Sequence, residues 1–501
     1  MTASKDSDAV IIGVGHTTRH PGEPAETTEP ARLIAAAIDA ATEDARLGAS
    51  GRGEVDSLDV INFLSWQYLE PAQAVAHHAG LAPRRVAYSP VGGDQPTLLL
   101  DAAARRIASG QSRLAIVAGG EAMASRRIWQ RAGQKPPWPR IDSPPRFALG
   151  AGLNHGAFGH GLTMPTNVYP LVESAHRAAA GVGFDDAQRR SGALWAGLSA
   201  VAARTPGAWL PEVHSLDQII TPGPDNRPIA HPYLKLMCAQ PMVDQSAAVV
   251  VASVAEARRL GVPPDDWVYL LAGAGAMDTE EVMERPSFAC SDPMSRVLHD
   301  ALRQSGMAEE VPDLLELYSC FPIVVKLALE TLGLPDDAAV SVAGGLTFYG
   351  GPFNTYMLCA AVNMVRLLRA GAGTAGLLYG NGEFVTKHHA LVVGRVGRSD
   401  GSYPTDHRVD RQQDLDRRMR PNLTEAPHGR GTIEATTVLF DRDGLAERGI
   451  VVGRLDDDSR FVANTPPDAG SLSALLDPTV EPIGRSGEVR AGESGNLFEL
   501  S

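Results

Sequence analysis

The residues able to carry chemistry fall in a few places. Gly92-Gly93-Asp94 leads into an apolar, Ala-rich stretch that predicts a helix over Thr97–Ser109, stopped by Gly110. A glycine turn at the start of a buried helix is where many enzymes present a nucleophile, because the positive helix end lowers a thiol pKa or steadies an anion. This turn holds neither Cys nor Ser, so the pedestal stands without a nucleophile. Two readings stay open for it. The backbone around Gly92–Asp94 forms an oxyanion or phosphate nest, or the turn is simply tight, with Asp94 well placed against the helix dipole. His155 and His160 lie in a glycine-rich loop, either at a substrate mouth or on the surface. His388 and His389 sit side by side on an expected strand, so at most one can point inward. Cys238, Cys290, Cys320 and Cys359 form no CxxC pair, and neither a disulfide framework nor a metal site is expected. GAGTAG (Gly371–Gly376) matches G-x-G-x-x-G but follows a helix and precedes a strand, the reverse of a dinucleotide site.

Alternating strand and helix signals position these residues. Val10–Val14, Val60–Leu64, Val86–Ser89 and Leu114–Ala118 read as strands and Ala31–Ala45 as a helix. This alternation predicts an α/β fold with buried, largely parallel sheets. Residues 126–240 are rich in Arg, Pro, Gly, His and Trp, a composition that suits an insertion covering one end of the main sheet. An internal repeat follows: Gly350-Gly351, Thr355, Leu358 and Ala360-Ala361 stand at the same offsets as Gly92-Gly93, Thr97, Leu100 and Ala102-Ala103. A strand closes each copy, the first at Gly119-Gly120-Glu121 and the second at Tyr379-Gly380-Asn381-Gly382-Glu383. Residues 398–430 are polar and charged and read as a linker with room for one short helix. Short strand signals joined by Asp- and Gly-rich turns then predict a small barrel.

The 501 residues carry a net charge of −14, and the segment from Gly431 onward has six arginines against thirteen acids. That balance argues against a nucleic-acid partner. No stretch reaches the length of a membrane span, and the N-terminus lacks signal-peptide features, so a cytoplasmic location is expected.

Several ordered motifs resemble the thiolase superfamily over about residues 8–396. GGEAM (Gly119–Met123) is similar to the family's GGxESM, and GLTMPT (Gly161–Thr166) to its loop-domain GLTM. PMVDQSAAVVVASVAEA resembles the PxSDGAAALVLAS segment of the sterol-carrier-protein type. YSCFP (Tyr318–Pro322) stands where that type has HDCF, and GGLTFYGGP (Gly344–Pro352) where GGxxxxGHP belongs. With the appended acidic barrel, the chain resembles most closely the actinobacterial thiolase-like proteins of type one. The resemblance implies a duplicated five-layer α-β-α-β-α fold with a loop domain, plus a small C-terminal barrel like an oligonucleotide/oligosaccharide-binding domain. The expected boundaries are 1–125 with 241–260 for the N-terminal half, 126–240 for the loop domain and 263–397 for the C-terminal half. A linker at 398–430 and the barrel at 431–501 complete the chain.

The same resemblance places the family's catalytic positions on residues that cannot serve. The acyl-accepting Cys falls on Gly93, the His of GHP on Gly351, the second Cys on Gly380, and the His of HDCF on Tyr318. Glycine can neither hold an acyl group nor move a proton. Ordinary thiolase activity is therefore not expected, although the superfamily label is acyltransferase, in fatty-acid or sterol degradation. The ligand implied is coenzyme A or an acyl-CoA, with Met164, Ala239, Gln240, Gly92 and Gly93 in contact with it, and no metal. Tyr318, Tyr349 and Cys320 are the candidate reactive side chains. The functional alternatives are a retro-aldolase that cleaves a β-hydroxyacyl-CoA, a catalytically silent acyl-CoA- or lipid-binding protein, and a thioesterase or acyltransferase using Cys320. Related retro-aldolases work with a separate barrel-bearing subunit. Thiolases commonly dimerise through the strand that is RRVAYSPV here, and Pro90 would interrupt that pairing, so a monomer is expected beside a homodimer.

Overall fold

A computed structural model describes residues 5–139, 153–307, 310–399, 402–492 and 495–501. The strands, in chain order, are β1 (Ala9–Arg19), β2 (Ser57–Val60), β3 (Arg85–Tyr88), β4 (Leu114–Ala122), β5 (Pro228–Ala230), β6 (Tyr233–Leu234), β7 (Asp244–Ser253) and β8 (Val268–Met277). They continue as β9 (Leu314–Leu317), β10 (Ala375–Gly382), β11 (Lys387–Gly394), β12 (His428–Phe440), β13 (Ala446–Leu455), β14 (Arg460–Asn464), β15 (Ser486–Arg490) and β16 (Leu497–Leu500).

Nine of these strands run in the order β3-β2-β4-β7-β1-β8-β11-β10-β9. The two repeats meet at a short β1–β8 pairing, Val10 against Tyr269 and Ile11 against Val268. Parallel pairing is confined to β3–β2–β4 and β10–β9. The long central strands pair antiparallel, which corrects the expectation of largely parallel sheets. Alternation of strands and helices does not report that β1 and β7 come from opposite ends of the first repeat and run against each other.

The helices Gln95–Ala108 and Tyr356–Arg369 pack against strands of both repeats and against each other, forming the middle layer. Pro30–Asp44 covers the outer face of the first sheet half and Asp292–Ser305 that of the second, completing α-β-α-β-α. The second middle helix buries Tyr356 through Val365 without a break, as a helix apolar on every side must. Its counterpart begins at Gln95, with Pro96 in the first turn, and ends at a left-handed Gly110 (φ 72°).

Strands β12–β16 close into a five-stranded barrel through the β12–β13 pairing, and β5 adds to its outside by pairing Ala230 with Leu439. Arg460 of β14 is fully buried and locks the barrel to the body: it pairs with Glu434 and donates to the carbonyls of Met283 and Arg285. His160 makes a second junction. Its Nε2 accepts from the Asn496 amide at 2.7 Å, so Nδ1 carries the proton and donates to the Gly156 carbonyl. The polar segment before the barrel is a strap. Tyr403 donates to the buried Asp101 at 2.8 Å, the helix Arg408–Asp416 follows, and Gln412 bonds both backbone groups of Met277.

Candidate active site

The Gln95–Ala108 helix starts beneath a cavity of about 220 Å³ between the two repeats. Gly92, Gly93 and Gly351 line it, together with Met164, Ala239, Tyr318 and Cys320. Its other walls are mainly apolar, among them Leu64, Leu346 and Phe353. The segment 140–152 of the expected covering domain lies outside the described residues.

The glycines at the expected catalytic positions are closed by their neighbours. A Cβ on Gly93 would stand 2.3 Å from the Tyr318 hydroxyl oxygen. A Cβ on Gly380 would stand 2.9 Å from the Gly93 carbonyl oxygen and 3.0 Å from the Asp94 Cα. Tyr318 thus fills the volume into which a side chain at position 93 would project. Gly351 is roomier, with the nearest atom to a built Cβ at 3.2 Å. The Gly92 amide donates to Asn354 Oδ1 at 3.0 Å, while the Gly93 amide makes no hydrogen bond among the described residues. The Tyr318 hydroxyl has no hydrogen-bond partner among them either. Burial pushes its pKa well above the ordinary phenol value, with Cys320 and Asp94 adding to the rise. Tyr318 is therefore a neutral proton donor at physiological pH. Burial likewise pushes the Cys320 thiol up to about 12, which keeps it from being a thiolate nucleophile.

Residues 410–494 match the family described as the thiolase-like protein type 1 additional C-terminal domain. A monomeric SCP2-thiolase-like protein type 1 from Mycobacterium smegmatis superposes over 100% of both chains, with a TM-score of 0.85 and 28% identity. The chain is thus similar over its whole length to a thiolase-like protein of type 1. Acetyl-CoA acetyltransferase of Methanothermobacter thermautotrophicus is 25% identical over 73% of this chain and 92% of its own length. The fold is also that of an Ltp2–ChsH2(DUF35) aldolase, at a TM-score of 0.58 and 20% identity, covering 77% of this chain and 98% of the other.

The remaining expected site residues of this thiolase-like chain lie as follows. Met164 stands 41% exposed at the cavity mouth and Ala239 on its wall. Gln240 acts through its backbone: its amide bonds Leu346 and its carbonyl holds the Gly351 amide at 2.9 Å. Tyr349 is fully buried away from the lining, its ring set edge-on to Tyr356, and burial holds its pKa well above the ordinary value. His388 and His389 point to opposite sides, as strand alternation requires, and neither lines the cavity. His389 faces Asp101 at 3.2 Å. His388 accepts from the Tyr379 hydroxyl at Nδ1 (2.8 Å) and donates from Nε2 to the Val385 carbonyl (3.1 Å), and burial pulls its pKa down to about 3.

Sequence reasoning missed several polar residues on the wall, among them Tyr169, Asn381 and Glu383. Asn381 Nδ2 donates to the Tyr169 hydroxyl (2.8 Å), which itself donates to the Glu383 carbonyl (2.7 Å). The signal was present for two of them, because Asn381 and Glu383 belong to the strand end that repeats Gly119-Gly120-Glu121. Tyr169 follows GLTMPT by three residues, and nothing in the sequence marks it.

Proposed function

We propose that the cavity binds an acyl thioester of coenzyme A and handles it without forming an acyl-enzyme. The observation that carries this reading is the Tyr318 hydroxyl standing where a Gly93 side chain would be. The apolar wall from Met164 to Leu346 suits a pantetheine arm and acyl chain. The unpartnered Tyr318 hydroxyl on the cavity wall suits a thioester carbonyl as a hydrogen-bond donor. Cys320 is the one thiol among the described lining residues, and burial keeps it protonated.

A second reading, carbon–carbon cleavage of a β-hydroxyacyl-CoA, is favoured by the same tyrosine. Retro-aldol cleavage leaves an enolate that must be held and reprotonated, and a neutral phenol inside an apolar cavity is a fitting acid. The aldolase of similar fold supports this as analogy only. The reading makes Tyr318 the acid, gives Tyr349 no part, and leaves Cys320 as wall. The lipid or sterol origin of the acyl group, and a monomeric state like that of the Mycobacterium smegmatis protein, belong to the same proposal.

The test incubates the protein with matched 3-oxoacyl- and 3-hydroxyacyl-CoA esters and follows the products by mass spectrometry. Binding of the esters without CoA-dependent cleavage of the 3-oxo series is the expected result. A shorter CoA ester plus a carbonyl compound from the 3-hydroxy series, lost in Tyr318→Phe, would establish cleavage. Thiolytic products from the 3-oxo series would overturn the reading.

A further inference from the structure

Among the described lining residues of the cavity, Glu383 has the one ionisable carboxyl group. Its setting is costly in two ways. The backbone is left-handed at Glu383 (φ 54°) and again at the β-branched Val385 (φ 60°), conformations that L-residues adopt only where the surroundings hold them. Three separate elements do so here. The Tyr169 hydroxyl binds the Glu383 carbonyl, Arg285 donates to the Phe384 carbonyl at 3.2 Å, and His388 donates to that of Val385. A carboxylate beside apolar walls also needs a charge partner. Lys387 supplies it, with Nζ 2.6 Å from Oε1 and 3.2 Å from the Val91 carbonyl at the head of the glycine turn. The second oxygen, Oε2, makes no hydrogen bond among the described residues.

We infer that Glu383 is the residue that selects a hydroxylated acyl group, with Oε2 accepting the hydrogen bond of a hydroxyl at the β-carbon. An ionised carboxylate is an acceptor only, so its free oxygen favours a ligand that brings a donor and penalises one that presents methylene there. The inference rests on the cavity being an acyl-thioester site and deepens that reading to one substrate class. Under the cleavage reading, the hydroxyl proton passes to Glu383 and the O–H electron pair becomes the second bond of the new carbonyl. The Cα–Cβ pair moves to Cα as the thioester enolate. Tyr318 gives its proton to Cα and is reprotonated through solvent from Glu383, so no oxidant or further reactant is required.

Calorimetric binding of 3-hydroxyacyl-CoA and of the saturated acyl-CoA of equal length tests this. The wild type is expected to bind the hydroxylated ester about tenfold more tightly, the scale of one hydrogen bond to a charged group. Glu383→Gln, which keeps the reach and loses the charge, should shrink that ratio to about threefold or less. Glu383→Asn, whose residue type tolerates a left-handed backbone but whose side chain is shorter, should abolish it. Equal binding of both esters by the wild type would overturn the inference. So would a ratio unchanged in both variants, or equal weakening of both esters, which would place Glu383 on the pantetheine arm. Failure of every CoA ester to bind would sink the underlying cavity reading instead.

Discussion

At the scale of single residues, the packing leaves no room for a side chain at Gly93 or Gly380. Restoring a cysteine at position 93 should therefore not restore a thiolase. Gly93→Cys must displace the Tyr318 ring and is expected to cost about 1–3 kcal/mol, as overpacked cores do. Thermal melting checks the cost, and intact mass after incubation with acetyl-CoA should show no acetyl adduct. Adding Tyr318→Ala should recover only part of the loss, because the Asn381 backbone carbonyl also stands 2.4 Å from a Cβ at position 93. Cys320, pushed up to about 12, should alkylate far more slowly at pH 8 than the exposed Cys290, which peptide mapping resolves. The vacancies were legible in the sequence because ordered motifs bracket Gly93, Gly351 and Gly380. Their occupants were only partly legible. That Tyr318 reaches over Gly93 is a distance across 225 residues of chain, and no local pattern encodes it.

At the scale of elements, the β10–β11 turn decides the shape of the cavity wall. It depends on His388, whose two ring nitrogens serve Tyr379 and Val385. Replacing His388 by Phe keeps the bulk but strands a buried hydroxyl and a buried carbonyl. The expected cost is about 1–3 kcal/mol, with faster amide exchange at Glu383–Thr386 and weaker ester binding. The sequence shows a strand pair here and the alternation of His388 and His389. It does not show the left-handed turn, since neither Glu383 nor Val385 is a residue type that announces one. The contacts of the strap escape the sequence for a related reason. Its polar composition suggests a tether, yet Tyr403, Arg411 and Gln412 are spent on partners in the body, and composition counts charges without knowing their partners.

At the scale of the whole molecule, two sets of buried groups set the pH dependence against each other. Burial pushes Glu121 and Glu316 up to about 7 and Asp244 up to about 6. A folded pKa above the unfolded one gives stability that is complete below the unfolded pKa and is lost as pH rises through the folded one. His16 and His231 are pulled down to about 4 and His388 to about 3, so their contribution is complete above 6.5 and fades as pH falls. The melting temperature should accordingly stay nearly level between about pH 4.5 and 6.5, sag slightly toward 7 and fall clearly below 4.5. Calorimetric scans across that range check it. Removing the barrel's anchor should act more strongly. Arg460→Ala leaves two buried carbonyls unpaired and Glu434 with Arg454 as its remaining partner, and is expected to cost about 3–5 kcal/mol, splitting one calorimetric transition into two.

The outward strand β5 carries a consequence for how this chain is made. Its neighbour His231 accepts from the Thr437 hydroxyl, a residue synthesised 206 positions later. At about 5–20 residues per second, a translating ribosome needs roughly 10–40 s to deliver that partner. Until then the edge at Ala230 has no barrel strand to pair with. The pairing of this strand is thus completed by a segment translated long after it. A stop codon ahead of the barrel would leave nascent chains with an open strand edge at Ala230, a target for chaperones and a seed for aggregation.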